Sequence, residues 1–306
     1  MSRGPYKKVS LSQRSEWYWG WFLIAPTMVG LIVLNIIPIF QTLYLSFFKS
    51  GDFGRGNIYV GLDNYRKLLN DPQVWHAVGN TLLYALMVVP TGIALAMITA
   101  VLLNRNIKGR VLYRTIYFIP VVAVPAAVTM VWRWLYNSHY GLINYLLSRL
   151  NFSTVNWTTD PDIALASIAL IGIWSTVGYN MVLLLAGLQE IPKTYYEASE
   201  IDGAGKIRQF FVITLPLITP TLFFVVVTSM IQALQVFDVI YMMIDVTNPA
   251  YERSVSLVYL FYNNSFKYLN KGYGSAIVML LLVIIMIVTV IQVKAQRKWV
   301  YYMKEG

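Results

Sequence analysis

Six apolar stretches, each long enough to cross a lipid bilayer, dominate this 306-residue chain. They run over 18–48, 77–103, 111–135, 163–188, 212–244 and 275–293. A membrane helix needs about 20 mostly apolar residues, and inside the bilayer each backbone polar group has to be satisfied within the protein. Only 12% of the residues are charged, against about 25% in a soluble domain, too few to cover a water-facing surface. The sequence therefore predicts an all-α polytopic membrane protein with six transmembrane helices. No repeat, low-complexity tract or linker divides it, so one transmembrane domain over 1–306 is expected. The first apolar run exceeds the core of about 7–15 residues in a signal peptide and no small-x-small cleavage site follows it. It is expected to be a retained span.

A net charge of +10 suggests nucleic acid in a soluble protein, but in a membrane protein it reflects cations held on the cytoplasmic side. With a cytoplasmic N-terminus, the inner segments carry Arg3, Lys7, Lys8, Arg14, Arg105, Lys108, Arg110, Arg114, Lys193, Lys206, Arg208, Lys294, Arg297, Lys298 and Lys304, fifteen of the 24. The outer segments are longer in total yet carry nine: Lys49, Arg55, Arg66, Lys67, Arg133, Arg149, Arg253, Lys267 and Lys271. Both termini are therefore predicted to be cytoplasmic. The surroundings are a lipid bilayer, not nucleic acid. In the outer loops, Leu62–Leu69 and Gly141–Leu147 space their apolar residues as short amphipathic helices do.

Catalytic and metal chemistry find little support. The chain has no cysteine, which removes disulfides and thiolate metal sites. His76 and His139 fall in predicted outer loops and share no metal-binding spacing. No Gly-x-Ser-x-Gly elbow occurs, and Asp238 is the one carboxylate deep in an apolar run. No catalytic, metal or cofactor-binding residue is expected.

Between the fourth and fifth spans lies Glu197–Pro220, EASEIDGAGKIRQFFVITLPLITP. Its Gly203-Ala204-Gly205-Lys206 looks like part of a phosphate-binding loop. That loop requires Ser or Thr after the lysine and a glycine upstream in register. Here Ile207 follows Lys206, neither register fits, and no strand precedes the segment. Read from the residues, Tyr195–Ile201 favours helix, Asp202-Gly203 ends it, and Lys206–Phe211 starts a helix that enters the membrane past Pro216 and Pro220. The small residues Ala198, Ser199, Gly203, Ala204 and Gly205 leave room for another backbone to approach. A solvated loop and a docking knob both fit these features.

Glu197, Ala198, Asp202, Gly203, Ala204, Phe210, Ile213, Leu215, Pro216 and Pro220 resemble the EAA loop of ABC-importer permeases, with Ser199 replacing the second alanine. Ala25-Pro26, Tyr44–Phe47, Gly61–Tyr65, Asn80-Thr81, Arg114-Thr115 and Pro120 are similar to the carbohydrate subfamily, the first permeases of the maltose and glycerol-3-phosphate type. The resemblance covers essentially the whole chain. It implies a type I ABC-importer permease fold, with a cytoplasmic coupling helix between helices 4 and 5 inside the loop 190–211. It also implies a bacterial or archaeal cytoplasmic membrane and a heterodimer with a homologous second permease. Two ATPase subunits carrying ATP and Mg, an extracellular solute-binding protein and a sugar substrate complete the implied assembly. Glu197, Ala198, Ser199, Asp202, Gly203, Ala204 and Gly205 would couple to the ATPase, and the bundle would alternate between inward-open and outward-open states.

A substrate pathway is expected where polar residues interrupt apolar helices near the midplane. The fourth span offers Trp174, Thr176, Tyr179 and Asn180; the fifth offers Ser229, Gln232, Gln235, Asp238 and Tyr241. Gln232, Gln235 and Asp238, three residues apart, are expected along one side of a helix. Amides, a carboxylate and aromatic rings suit a hydroxyl-rich sugar, and the resemblance places sugar contacts in the same two helices. The same polar residues also serve as glue between membrane helices. An ion-coupled secondary carrier or channel is the alternative class. It would carry several intramembrane charges and an internal repeat, and neither is evident.

Overall fold

The computed structural model describes residues 11–51, 57–105 and 107–301, the side chains of 11–15 excepted. Of the cations counted above, Arg3, Lys7, Lys8, Arg55 and Lys304 lie outside the described residues, as does the side chain of Arg14.

The first span is α1 (Leu11–Leu31), a π-turn over Ile32–Ile36, and α2 (Ile37–Leu45). It ends three residues before the predicted limit, because Phe48–Ser50 (β1) pairs antiparallel with Asn57–Tyr59 (β2), Phe48 opposite Tyr59. This hairpin departs from the all-helical expectation. A short helix α3 (Asp63–Leu69) forms where amphipathic spacing predicts one. The second span, α4 (Pro72–Asn104), starts earlier than its apolar run because Asp71 caps it, accepting from the Gln73 N–H at 3.0 Å, with Pro72 in the first turn. His76 thus lies in a helix, not in a loop.

The third span departs most from expectation. α5 (Arg110–Val122) and α6 (Pro125–Leu135) meet at an angle of 99°. Pro125 drives Val124 into extended backbone (φ −63°, ψ 128°), as a residue before proline tends to be. An apolar run that reads as one helix therefore turns a corner. The second short amphipathic helix is α7 (Leu142–Arg149), and the fourth span is α8 (Ala164–Glu190).

The loop that follows holds α9 (Lys193–Ile201) and α10 (Lys206–Gln209). From there the chain passes a π-turn over Phe210–Thr214 and a short α11 (Leu215–Leu217) into α12 (Thr219–Leu234). Pro216 and Pro220 each remove an N–H from the helical ladder, which accounts for these irregular steps. The fifth span then breaks at Gln235–Phe237 before resuming as α13 (Asp238–Met243). α14 (Leu257–Tyr262) leads through a further π-turn to the sixth span, α15 (Lys271–Trp299). Among the described residues, five helical spans, or six with the bent pair as one, are long and apolar enough to cross a membrane.

The core lies between α4 and α8, which pack along each other and against α12. Small residues set the spacing there. A Cβ on Gly172 of α8 would fall 2.2 Å from the Tyr84 hydroxyl of α4, and one on Gly178 would fall 1.9 Å from the backbone oxygen of Tyr117 in α5. At one end of the bundle, Gln189 meets Arg110 and Arg114. The Tyr301 N–H donates to Thr219 Oγ1 at 2.9 Å and Trp299 packs edge-on to Phe223. The predicted inner segments around 105–114, 189–219 and after Trp299 therefore gather together. At the other end, Asn80 Nδ2 donates to the Glu252 and Val255 carbonyls, and Tyr273 donates to Asp71 at 2.6 Å.

Candidate functional site

The two backbone breaks face one cavity of about 580 Å³ enclosed by α4, α5, α6, α8 and the broken fifth span. The corner in the third span contributes Pro120, Val121, Ala123 and Pro125; the break in the fifth contributes Gln235, Val236, Phe237 and Asp238. Non-helical backbone at membrane depth is tolerated only where protein or a water-filled cavity satisfies it. Here Ser256 supplies one partner, its hydroxyl donating to the Val236 carbonyl at 2.7 Å. The Gln235 and Val236 N–H groups reach back to Gln232 and Ala233 at 3.2 and 3.3 Å, closing the end of α12.

Of the nine pathway residues singled out in the sequence, seven line this cavity: Thr176, Tyr179, Asn180, Ser229, Gln232, Gln235 and Asp238. Gln232 and Asp238 lie on opposite sides of the break rather than along one continuous helix, yet both face the cavity. Asp238 is exposed to the cavity, so water reaches a carboxylate that would be costly to hold in lipid. Tyr179 and Gln235 are also exposed. Asn180 and Ser229 are buried and bond to each other, Asn180 Nδ2 donating to Ser229 Oγ at 3.1 Å. They join α8 to α12 across the cavity floor, which is the gluing role. Thr176 Oγ1 bonds back to the Gly172 and Ile173 carbonyls.

Trp174 is not part of the lining; its ring packs edge-on against Trp132 at 5.8 Å. Tyr241 also stands outside it, stacked on Phe237 at 5.1 Å, with the Lys267 ammonium over the Tyr241 ring, 5.2 Å from its centroid. Tyr84 and Phe237 line the cavity and were not singled out. Each sits in an apolar run where nothing local distinguishes it from core.

The loop 190–211 is a braced helix-turn-helix. α9 ends in a Schellman motif: the Gly203 N–H bonds to the Glu200 carbonyl at 3.0 Å and the Ala204 N–H to the Ser199 carbonyl at 2.9 Å. Gly203 takes the left-handed conformation this motif requires, φ +73°. Across the turn Lys206 Nζ donates to Glu200 Oε1 at 2.5 Å, and this ammonium holds the Glu200 carboxyl below the usual carboxylate range. Beneath, the buried Gln209 donates to Ser199 Oγ at 3.0 Å, and the Tyr196 and Thr214 hydroxyls are 3.0 Å apart.

Ser199 is thus turned inward and partly covered, Ala204 is half-buried, and Glu197, Ala198, Asp202, Gly203 and Gly205 are exposed. Two isoleucines that the sequence reading passed over stand out on this polar loop. Ile201 is 88% exposed and Ile207 78%. Isolated apolar residues in an otherwise charged segment were the available signal.

The family described as "Binding-protein-dependent transport system inner membrane component" matches residues 92–300. The chain is 33% identical over 298 residues to the probable ABC transporter permease protein YesP of Bacillus subtilis, covering 96% of each. It is 36% identical over 279 residues to the trehalose/maltose transport system permease protein MalF of Thermococcus litoralis, covering 91% of this chain and 93% of that one. Among solved structures, a chain of a bacterial alginate ABC transporter, in complex with an alginate pentasaccharide-bound periplasmic protein, superposes with a TM-score of 0.83 at 19% identity. That match covers 95% of this chain and 98% of the other.

Proposed function

As this chain belongs to the family of binding-protein-dependent transport system inner membrane components, we propose that it is the first permease of a sugar importer. Its sugar is an oligosaccharide, delivered by an extracellular solute-binding protein. It pairs with a homologous second permease and two ATPase subunits, which carry ATP and Mg; this chain holds neither. Both termini lie on the cytoplasmic face of a bacterial or archaeal membrane, together with the loop 190–211.

The observation that carries the reading is the joint placement of seven pathway residues around one cavity framed by two backbone breaks. Discontinuous helices at a polar midplane site are a recurring feature of transporters. The polar groups divide by exposure. Tyr179, Gln235 and Asp238 offer a ring face, an amide and a carboxylate to a sugar's hydroxyls, while Asn180 and Ser229 hold the floor. The names of relatives that carry trehalose, maltose or alginate support a saccharide of more than one ring.

At the far end of α8, the coupling loop presents Glu197, Ala198, Asp202, Gly203 and Gly205, together with Ile201, to a cleft of the ATPase. The braces from Glu200 to Lys206 and from Gln209 to Ser199 make the loop one rigid piece. Movement of that piece is transmitted to α8 and α12, which wall the cavity. A ligand or partner shifts such an equilibrium only through contacts that differ between the states; ATP-driven closure of the ATPase pair supplies that difference.

The test is uptake into proteoliposomes by the chain reconstituted with its sister permease, ATPase and binding protein. Uptake that requires internal ATP and all four components is expected. Uptake by the chain alone, driven by an ion gradient, would establish the secondary-carrier reading instead.

A further inference from the structure

At the base of α5, on the end of the bundle that carries the 190–211 loop, two arginines stand together without a counter-charge. Arg110 and Arg114 are one turn apart on the helix. The Gln189 side chain of α8, its oxygen toward them, accepts from Arg110 Nη2 at 2.8 Å and from Arg114 Nη2 at 3.2 Å. The Nε–H groups of both arginines are buried and meet no acceptor. Among the described residues neither guanidinium pairs with a carboxylate, the ion pairs being Arg66–Asp63, Lys206–Glu200 and Arg253–Asp162. The first turn of α5 also lacks an acidic residue, so the helix's own positive end adds to the two cations. One neutral amide shared by two guanidiniums leaves this corner strongly electropositive.

An apolar groove starts at the same place. A hollow of about 720 Å³ runs from Arg114 and Thr115 past Phe118, Ile119 and Val122 to the bend at Ala123, with Val182 of α8 on its flank. Positions 114, 118 and 122 form one ridge of α5, and 115, 119 and 123 the next. At 1.5 Å per residue this stretch is about 13 Å long, close to half of the roughly 30 Å hydrocarbon core of a bilayer. The groove is therefore charged at one end, apolar for one leaflet's depth, and open along its side.

We infer that this groove binds one anionic phospholipid, its phosphate held by Arg110 and Arg114 and one acyl chain lying along Phe118, Ile119 and Val122. Charge and shape favour this occupant together. A free phosphate would use the arginines and leave the groove idle; an uncharged lipid would use the groove and leave the arginines idle. Basic pockets between helices at one membrane face are a known setting for anionic head groups. The bound phosphate would also bridge α5 to Gln189, one residue before the loop 190–211, and so brace the base from which that loop extends.

The test is native mass spectrometry of the full chain, alone in non-ionic detergent and assembled with its partner subunits. Dioleoyl phosphatidylglycerol, dioleoyl phosphatidylcholine and inorganic phosphate are titrated separately. One phosphatidylglycerol should be retained at least tenfold more tightly than phosphatidylcholine in both preparations. The Arg110→Gln/Arg114→Gln pair should abolish that preference, while Arg110→Lys/Arg114→Lys keeps most of it. Val122→Trp, which fills the groove and leaves the arginines alone, should weaken phosphatidylglycerol at least fivefold; it serves as the deciding variant should the glutamine pair fail to fold. Equal retention of the two lipids, an unchanged preference in the glutamine pair, or unchanged phosphatidylglycerol retention in Val122→Trp would overturn the proposal. Displacement of the lipid by inorganic phosphate at comparable concentration would assign a simple anion site instead. Loss of lipid binding on assembly would assign the face to a protein partner, and either result rejects the lipid.

Discussion

Replacing Gly178 by alanine puts the packing of α5 on α8 to a test of sign. Alanine is favoured over glycine inside a helix by about 1 kcal/mol, so in open surroundings the change would stabilise the protein. In this structure the new Cβ falls 1.9 Å from the Tyr117 backbone oxygen and 2.9 Å from its carbonyl carbon. Close carbon–oxygen contacts lie at about 3.3 Å or beyond, so α5 would have to withdraw by about 1.4 Å. The obstacle is backbone, and no side-chain rotation or substitution at Tyr117 relieves it. Overpacking costs about 1–3 kcal/mol, and an obstruction of this depth belongs at the upper end. Set against the gain in propensity, a net loss of about 2 kcal/mol is expected. The assay is reversible denaturant unfolding of the full chain in mixed micelles, with Gly79→Ala as the matched control. Gly79 is a helical glycine of α4 with nothing within 4 Å of its would-be Cβ, so that variant should match or exceed the parent. A Gly178→Ala protein as stable as Gly79→Ala would refute the close approach, and with it the placement of Pro120 and Val121 in the cavity wall.

Three further expectations concern the loop and the cavity. Gly203→Pro removes an N–H of the Schellman motif and forbids φ +73°, and Glu197→Lys reverses a charge on the exposed face. Both variants should reach the membrane, yet ATP hydrolysis by the assembled complex should no longer drive uptake; sugar-stimulated ATPase and uptake at parental rates would remove the coupling role. Tyr179→Ala and Gln235→Ala should each reduce sugar uptake about tenfold or more with assembly intact, since each deletes an exposed lining group, and unchanged concentration dependence would argue against contact. Because Lys206 lowers the Glu200 pKa in the folded protein, the ion pair contributes above the unfolded value of about 4.3 and is lost as pH falls through the lower folded value. Amide hydrogen exchange at Gly203 and Ala204 should therefore become less protected in that acid window in the parent but not in Glu200→Gln, and equal behaviour of the two would show that the pair does not hold the turn.

What the sequence made legible follows from how local each signal is. Hydropathy picked out the apolar stretches, since lipid acts on every residue of a segment, but the helices begin or end up to seven residues from them, α1 at Leu11 and α12 at Thr219. Cation spacing separated the two ends, and Asp202-Gly203 announced a turn that the Schellman hydrogen bonds reproduce. The breaks were harder to read. Pro120 and Pro125 hinted at a corner but could not supply its 99°, because proline in a membrane helix is compatible with a mild kink. Gln235-Val236-Phe237 contains neither glycine nor proline; the partner that receives its freed carbonyl, Ser256, lies 20 residues away. Trp174 illustrates the reverse case, a plausible sugar-stacking ring that tertiary packing turns onto Trp132. Asn180 and Ser229 line the cavity as expected residues of the pathway, but their bond to each other, 49 residues apart in sequence, was not legible.

The break in the fifth span also divides labour along that helix. The Val236 carbonyl is held by Ser256, beyond the span, and the Phe237 ring is locked among Tyr241, Tyr259 and Tyr262. α13 is thus fastened to the segment around α14, whereas α12 is fastened to Asn180 of α8 at mid-depth and to the end of α15 through Thr219 and Phe223. The span is two levers meeting at a joint rather than one rod. Under the proposed function, a thrust arriving through α10 and α11 would swing the lower lever while the upper one kept its own anchorage, and one mouth of the passage would widen while the other stayed shut.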